Sequence, residues 1–165
     1  MSEKPGKILI LGVGNILLTD EGVGVWAVQE LQTRYQFPEC VELIDGGTQG
    51  LWLMSTIHGS DHVIVVDAVM GKGRPGTLYR LERDDLPREL RIKQSAHDSD
   101  LIEALNLTEM VDAAPKTCVV IGIQPEDIIT MSLEMTSTVS AKIDEIINMV
   151  LDELKVHGIE PQKKV

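Results

Sequence analysis

Apolar positions along this chain follow two periods that alternate from one end to the other. Lys7 to Val13 is a short apolar run closed by Gly12-Val13-Gly14-Asn15, the pattern of a buried strand that stops at a turn. Val23, Val25, Trp26, Val28 and Leu31 then recur at roughly helical spacing behind Asp20-Glu21-Gly22, whose acidic residues suit a helix N-terminus. A breaker region at Tyr35 to Glu39 leads to a second strand, Val41 to Ile44, ended by Asp45-Gly46-Gly47-Thr48, where paired glycines permit a tight exit. Leu51, Trp52, Met54, Ser55 and Ile57 fit a short helix closed near His58-Gly59.

His62 to Val66 is almost wholly apolar, as a central parallel strand should be, and runs directly into Asp67-Ala68. Gly71 to Gly76 is too short for a crossover helix, so the strand Thr77 to Leu81 is expected antiparallel at a sheet edge. Glu82 to Lys93 reads as charged and irregular. The polar loop Gln94 to Ser99 follows, with Asp98 or Ser99 capping a helix that carries Leu101, Ile102 and Leu105. Thr117 to Ile123 is the last clear strand. Thr138 to Leu154 places Val139, Ile143, Ile146, Ile147, Val150 and Leu154 on one helical face, and Glu160 to Lys164 reads as a polar tail. Alternating strands and helices define an α/β fold, mostly parallel with one antiparallel edge strand.

Length and charge narrow this picture. At 165 residues the chain is expected to form a single domain, residues 1–165, with a core from about residue 6 to 157. A formal net charge of −11 would repel a phosphate backbone, so nucleic acid and anionic membrane are poor partners. MSEKPGK leads into the first strand without an apolar signal core, and no run is long enough to span a bilayer, so a cytoplasmic protein is expected. Cys40 and Cys118 share no C-x-x-C motif and read as structural thiols.

Several motifs bear on chemistry. Gly12 and Gly14 suggest the dinucleotide fingerprint, but Leu17 stands where its third glycine belongs, and Asp20 and Glu21 would repel a pyrophosphate. No P-loop is present, nor a G-x-S-x-G nucleophile elbow. An acidic residue ending the most apolar strand is unexpected from burial alone, which makes Asp67 the strongest single candidate; a turn or cap role is its alternative. Ligand crevices in open α/β sheets lie beyond the carboxyl ends of strands. There Glu21, Asp67 and His97 can converge as two carboxylates and an imidazole, a set suited to a divalent transition metal, although a carboxylate near a helix start and a histidine in a loop are common, and on pattern alone the plain structural reading ranks ahead. His58, His62 and His157 read as structural.

LGVGNILLTDEGVG at 11–24, DGGTQG at 45–50, VVDAV at 65–69, SAHD at 95–98 and GIQPE at 122–126 resemble the motifs of the [NiFe]-hydrogenase maturation endopeptidases, in the family's order and at similar separations. The resemblance implies a three-layer α/β/α domain on a twisted, mostly parallel five-stranded sheet. It implies that Glu21, Asp67 and His97 bind nickel, carried by the substrate, with other divalent metals able to occupy the site. It further implies an activity, removal of the C-terminal extension from the nickel-loaded precursor of a hydrogenase large subunit, by a monomer that binds its partner transiently. Water would be activated either by the metal or by a carboxylate, Asp67 or Asp20. Asn15, Asp45, Gly46, Gly47 and Thr48 are expected to contact substrate or support the site, with turn stabilisation an equal reading for Asn15. The competing readings are a nickel-binding assembly chaperone that cuts nothing and, more distantly, a nucleotide-binding module.

Overall fold

The computed structural model describes residues 4–48, 50–86 and 96–165, the side chains of 96–100 excepted. In chain order it contains β1 (Ile8–Val13), a 3-10 turn (Thr19–Gly22), α1 (Val23–Arg34), β2 (Tyr35–Gln36), β3 (Val41–Gly47), a 3-10 turn (Gly50–Trp52) and α2 (Leu53–Ile57). It continues with β4 (His62–Ala68), β5 (Leu78–Glu82), a 3-10 turn (Arg83–Asp85), α3 (Ala96–Met110), β6 (Thr117–Ile123), α4 (Ser137–Ser140), α5 (Ile143–Val156) and β7 (Gln162–Lys163).

The main sheet has five strands in the order β3-β1-β4-β6-β5. The pairs β1–β3, β1–β4 and β4–β6 are parallel, and only β5 runs antiparallel, against β6 at the edge. Successive side chains of a strand face opposite sides, so each central strand feeds two cores. Ile8, Ile10, Ile64, Val66, Val119 and Ile121 pack with α1 and α5. Leu9, Leu11, Val63, Val65, Cys118 and Val120 pack with α2 and α3. Burial on both faces is why β1 and β4 read as nearly continuous apolar runs, and the result is a three-layer α/β/α domain.

Three expectations need correction. The segments read as a breaker and as a polar tail join as a second, two-stranded antiparallel sheet, with Tyr35 opposite Lys163 and Gln36 opposite Gln162. Lys164 extends this tie, its N–H donating to Arg34 O and its Nζ to Gln32 O. The C-terminal helix is divided into α4 and α5, because Lys142 N bonds Val139 O, a three-residue step that ends the first helix before Ile146 N bonds Lys142 O. His97, expected in a loop ahead of a helix, lies within the first turn of α3. Ala96 is a strong helix former, and the helix extends back past the expected cap. Residues 87–95, which include most of the stretch read as irregular, lie outside the described residues.

Candidate functional site

The connections leaving β1 and leaving β4 go to opposite sides of their shared border, because β3 lies beyond β1 and β6 and β5 lie beyond β4. That border is the switch point of the sheet, where a crevice opens above the strands' carboxyl ends. Glu21 sits in the 3-10 turn that follows β1, and Asp67 is the penultimate residue of β4; both are buried. Asp67 shares parity with Val63 and Val65, which places it on the sheet face that α2 and α3 cover. His97 lies in the first turn of α3, which follows the antiparallel strand β5 in the chain and precedes β6. The structure thus places Glu21 and Asp67 on segments that meet at this border; the His97 side chain is outside the described residues.

Glycines set how closely the turn approaches. A Cβ on Gly24 would lie 2.0 Å from Val66 O and 2.5 Å from Val13 O, and one on Gly14 would lie 1.8 Å from Glu21 O. The start of α1 therefore rests directly on the backbones of β1 and β4. This contact carries Glu21, three residues before Gly24, toward Asp67, the residue after Val66. The Gly-x-Gly pattern that suggested a pyrophosphate loop is here a device for backbone contact.

Asp20 has a different environment from its neighbour. It is fully buried, and its carboxylate accepts from the N–H groups of Glu126, Asp127 and Thr136 at 2.9, 3.0 and 2.8 Å, and from the Thr136 hydroxyl. Its own N–H donates to Asp127 O. Beside it Thr19 adopts φ 56°, a left-handed conformation that costs a β-branched residue about 1–3 kcal/mol. The bonds from Thr19 N to Ser132 O and from Thr19 Oγ1 to Thr130 O hold it there. Together these fasten the loop 126–136 along the site, where Leu18 and Ser132 form an isolated parallel bridge. Sequence reading passed over this loop. The signal available was the uncharged run Ile128 to Leu133, in a chain one quarter of whose residues are charged.

The remaining predicted positions line the neighbouring strand end. Asn15 Oδ1 accepts from Leu17 N at 2.9 Å, which closes the turn after β1. Asp45 Oδ1 accepts from Gly47 N at 2.9 Å, and Gly14 N donates to Gly47 O, so the Asp45-Gly46-Gly47 exit is tied to the β1 turn. Thr48 is exposed at its tip. A groove of about 470 Å³ lies elsewhere, at the amino end of β6, lined by residues that include Arg80, Thr117, Cys118, Glu153 and His157. It shares no residue with the crevice.

Carboxylates buried at the switch point of an α/β/α sheet, beside a loop fixed in place, form a site whose chemistry suits a cation or a polar group. Comparison with known proteins agrees with that class. The hydrogenase maturation protease family model matches residues 25–153. The hydrogenase 2 maturation protease of Escherichia coli is 38% identical over 155 residues, covering 93% of this chain and 94% of that protein. HoxM of Azotobacter vinelandii, a hydrogenase expression/formation protein, is 38% identical over 93% of this chain and 74% of its own length. The solved structure of the hydrogenase-maturating endopeptidase HybD from E. coli superposes with a TM-score of 0.91 at 37% identity, over 96% of this chain and 98% of that one. The chain belongs to the hydrogenase maturation protease family.

Proposed function

We propose that this protein is the endopeptidase that removes the C-terminal extension from a nickel-loaded precursor of a [NiFe]-hydrogenase large subunit. Membership of the family makes it a hydrolase acting on that class of precursor, and this favours the enzymatic reading over a chaperone that cuts nothing. The observation that carries the reading is the placement of Glu21 and Asp67, two buried carboxylates on adjoining segments at the switch point. Nickel enters as part of the substrate. Held by precursor ligands, it completes its coordination with Glu21, Asp67 and His97, so that only a loaded precursor aligns its scissile bond.

Two routes to water activation remain open to these residues. The metal can polarise the scissile carbonyl or acidify its water, or Asp67 can take the proton as general base. The bonding of Asp20 supports a different role for that carboxylate. Both of its oxygens are engaged by the loop 126–136, so it holds the wall of the site. Among the described residues, no helix is long and apolar enough to cross a membrane. The reading places a monomeric enzyme in the cytoplasm, in transient contact with its precursor.

The test follows the mass of nickel-loaded and nickel-free precursor incubated with wild type, Glu21→Gln, Asp67→Asn and His97→Ala. Shortening of the loaded form alone, lost in the three variants while their thermal midpoints hold, is the expected result. Nickel-dependent binding without a change of mass would instead support the chaperone.

A further inference from the structure

Among the described residues, the loop that Asp20 fastens carries a dense group of exposed large apolar side chains: Ile129 is 85% exposed, Met131 78% and Leu133 59%. Leu17, 50% exposed, joins them through the ribbon bridged at Leu18 and Ser132. Paired residues of a parallel ribbon send their side chains to the same side, so Leu17 and Met131, each one residue before the bridge, face one way. Asp127 fixes the loop from within, its Oδ1 accepting from Ile129 N and Thr130 N at 2.9 Å each. Four apolar side chains are thus presented to solvent on a backbone pinned at Asp20, Thr19, Ser132 and Asp127, which is costly unless something covers them.

We infer that Leu17, Ile129, Met131 and Leu133 form a docking lip for the polypeptide of the precursor that flanks its scissile bond. This inference rests on the precursor-processing reading above. The occupant follows from continuity and charge. The lip adjoins the turn that carries Glu21: Leu17 is in the same segment, where Glu21 N–H bonds Leu18 O, and the loop is tied to it by Thr19 N to Ser132 O and Ser132 N to Leu17 O, so a chain lying against the turn reaches the lip. Ile128 to Leu133 has no charge in a protein of net charge −11, so it suits an extended, uncharged apolar segment. A crevice walled by carboxylates reads the metal and supplies little affinity for the chain around it; the lip supplies the rest. Because it is pre-ordered, the lip loses little entropy on binding.

The experiment measures binding of nickel-loaded precursor by calorimetry, and its processing by mass, for wild type, the double variant Ile129→Ser/Met131→Ser, Leu133→Ser and the control Val156→Ser. Val156 is equally exposed but borders the groove at the other end of the sheet. The lip variants are expected to weaken binding, and to raise KM, by about tenfold or more while kcat stays within about twofold and thermal midpoints are unchanged. The control is expected to match wild type. Wild-type affinity in the lip variants overturns the lip whether or not any precursor is cut, and an equal loss in the control overturns its locality. A wild-type dimer that the lip substitutions convert to monomer assigns the surface to self-association instead and overturns the proposal. Failure of the wild type to shorten the precursor, with lip-dependent binding intact, counts against the processing reading alone.

Discussion

The hydroxyl of Thr136 lies 3.0 and 2.9 Å from the two carboxylate oxygens of Asp20, a residue 116 positions earlier in the chain. The same hydroxyl accepts from Val139 N and caps α4, so the start of a C-terminal helix and the turn carrying Glu21 share one buried anion. Replacing Asp20 by Ala would leave the N–H groups of Glu126, Asp127 and Thr136 without their acceptor. We expect a loss of about 2–4 kcal/mol from the unmet buried donors, read as a lower midpoint in urea unfolding. Asp20→Asn, which keeps one carbonyl acceptor, should lose less. Equal stability of Asp20→Ala and wild type would remove Asp20 from its anchoring role.

Gly24 offers a test whose sign separates local from tertiary effects. In an isolated helix, Gly→Ala stabilises by about 1 kcal/mol. Here the added methyl meets Val66 O at 2.0 Å and Val13 O at 2.5 Å, both rigid backbone of the central strands. Gly24→Ala is therefore expected to destabilise, by about 2–3 kcal/mol, and to displace Glu21 from the crevice with loss of precursor processing. A more stable variant would show that α1 does not rest on the sheet as described.

How much of this was legible in the sequence depended on the distance over which each feature is determined. β1, β4 and β6 announced themselves because strands buried on both faces need unbroken apolar runs, and β5 was placed at the edge by the shortness of Gly71 to Gly76 alone. Glu21 and Asp67 stood out as candidates because carboxylates at strand ends are conspicuous, and their burial is what the structure adds. The anchoring bonds of Asp20 were not legible: an acid at a helix start looks like a dipole partner, and its actual donors lie 106 to 116 residues away. The pairing of β2 with β7 left no pattern either, since two-residue strands at the surface carry no period. The backward extension of α3 past His97 was hidden by Asp98 and Ser99, residues that serve equally well as caps or in a first turn.

The two cysteines should differ sharply as nucleophiles. Burial pushes the Cys118 thiol up to about 12, against a smaller opposing effect of Arg83, whereas Cys40 is only half-buried. At pH 8 the buried Cys118 thiol of the folded protein is therefore held in its unreactive protonated form. A disulfide reagent is thus expected to modify Cys40 alone under native conditions and both thiols in denaturant, with mass spectrometry assigning the sites. Rapid native labelling of Cys118 would show that β6 opens readily.

His62 is expected to make the protein sensitive to mild acid at the amino end of the sheet. Its ring lies 4.0 Å from that of His157, and its Nδ1 is 2.8 Å from Thr117 Oγ1. Burial first, then the charge of His157 and of Lys116, hold its pKa below the ordinary 6.5, while Asp61 opposes them. The unfolded chain therefore takes up this proton more readily than the folded one, and the His62 contribution falls as pH drops from 6.5 through the lowered folded value. Thermal midpoints should decline across that window, and His62→Asn, which cannot charge, should flatten the decline while leaving the midpoint near neutral pH little changed. An unaltered slope in that variant would assign the acid sensitivity to groups other than the stacked imidazoles.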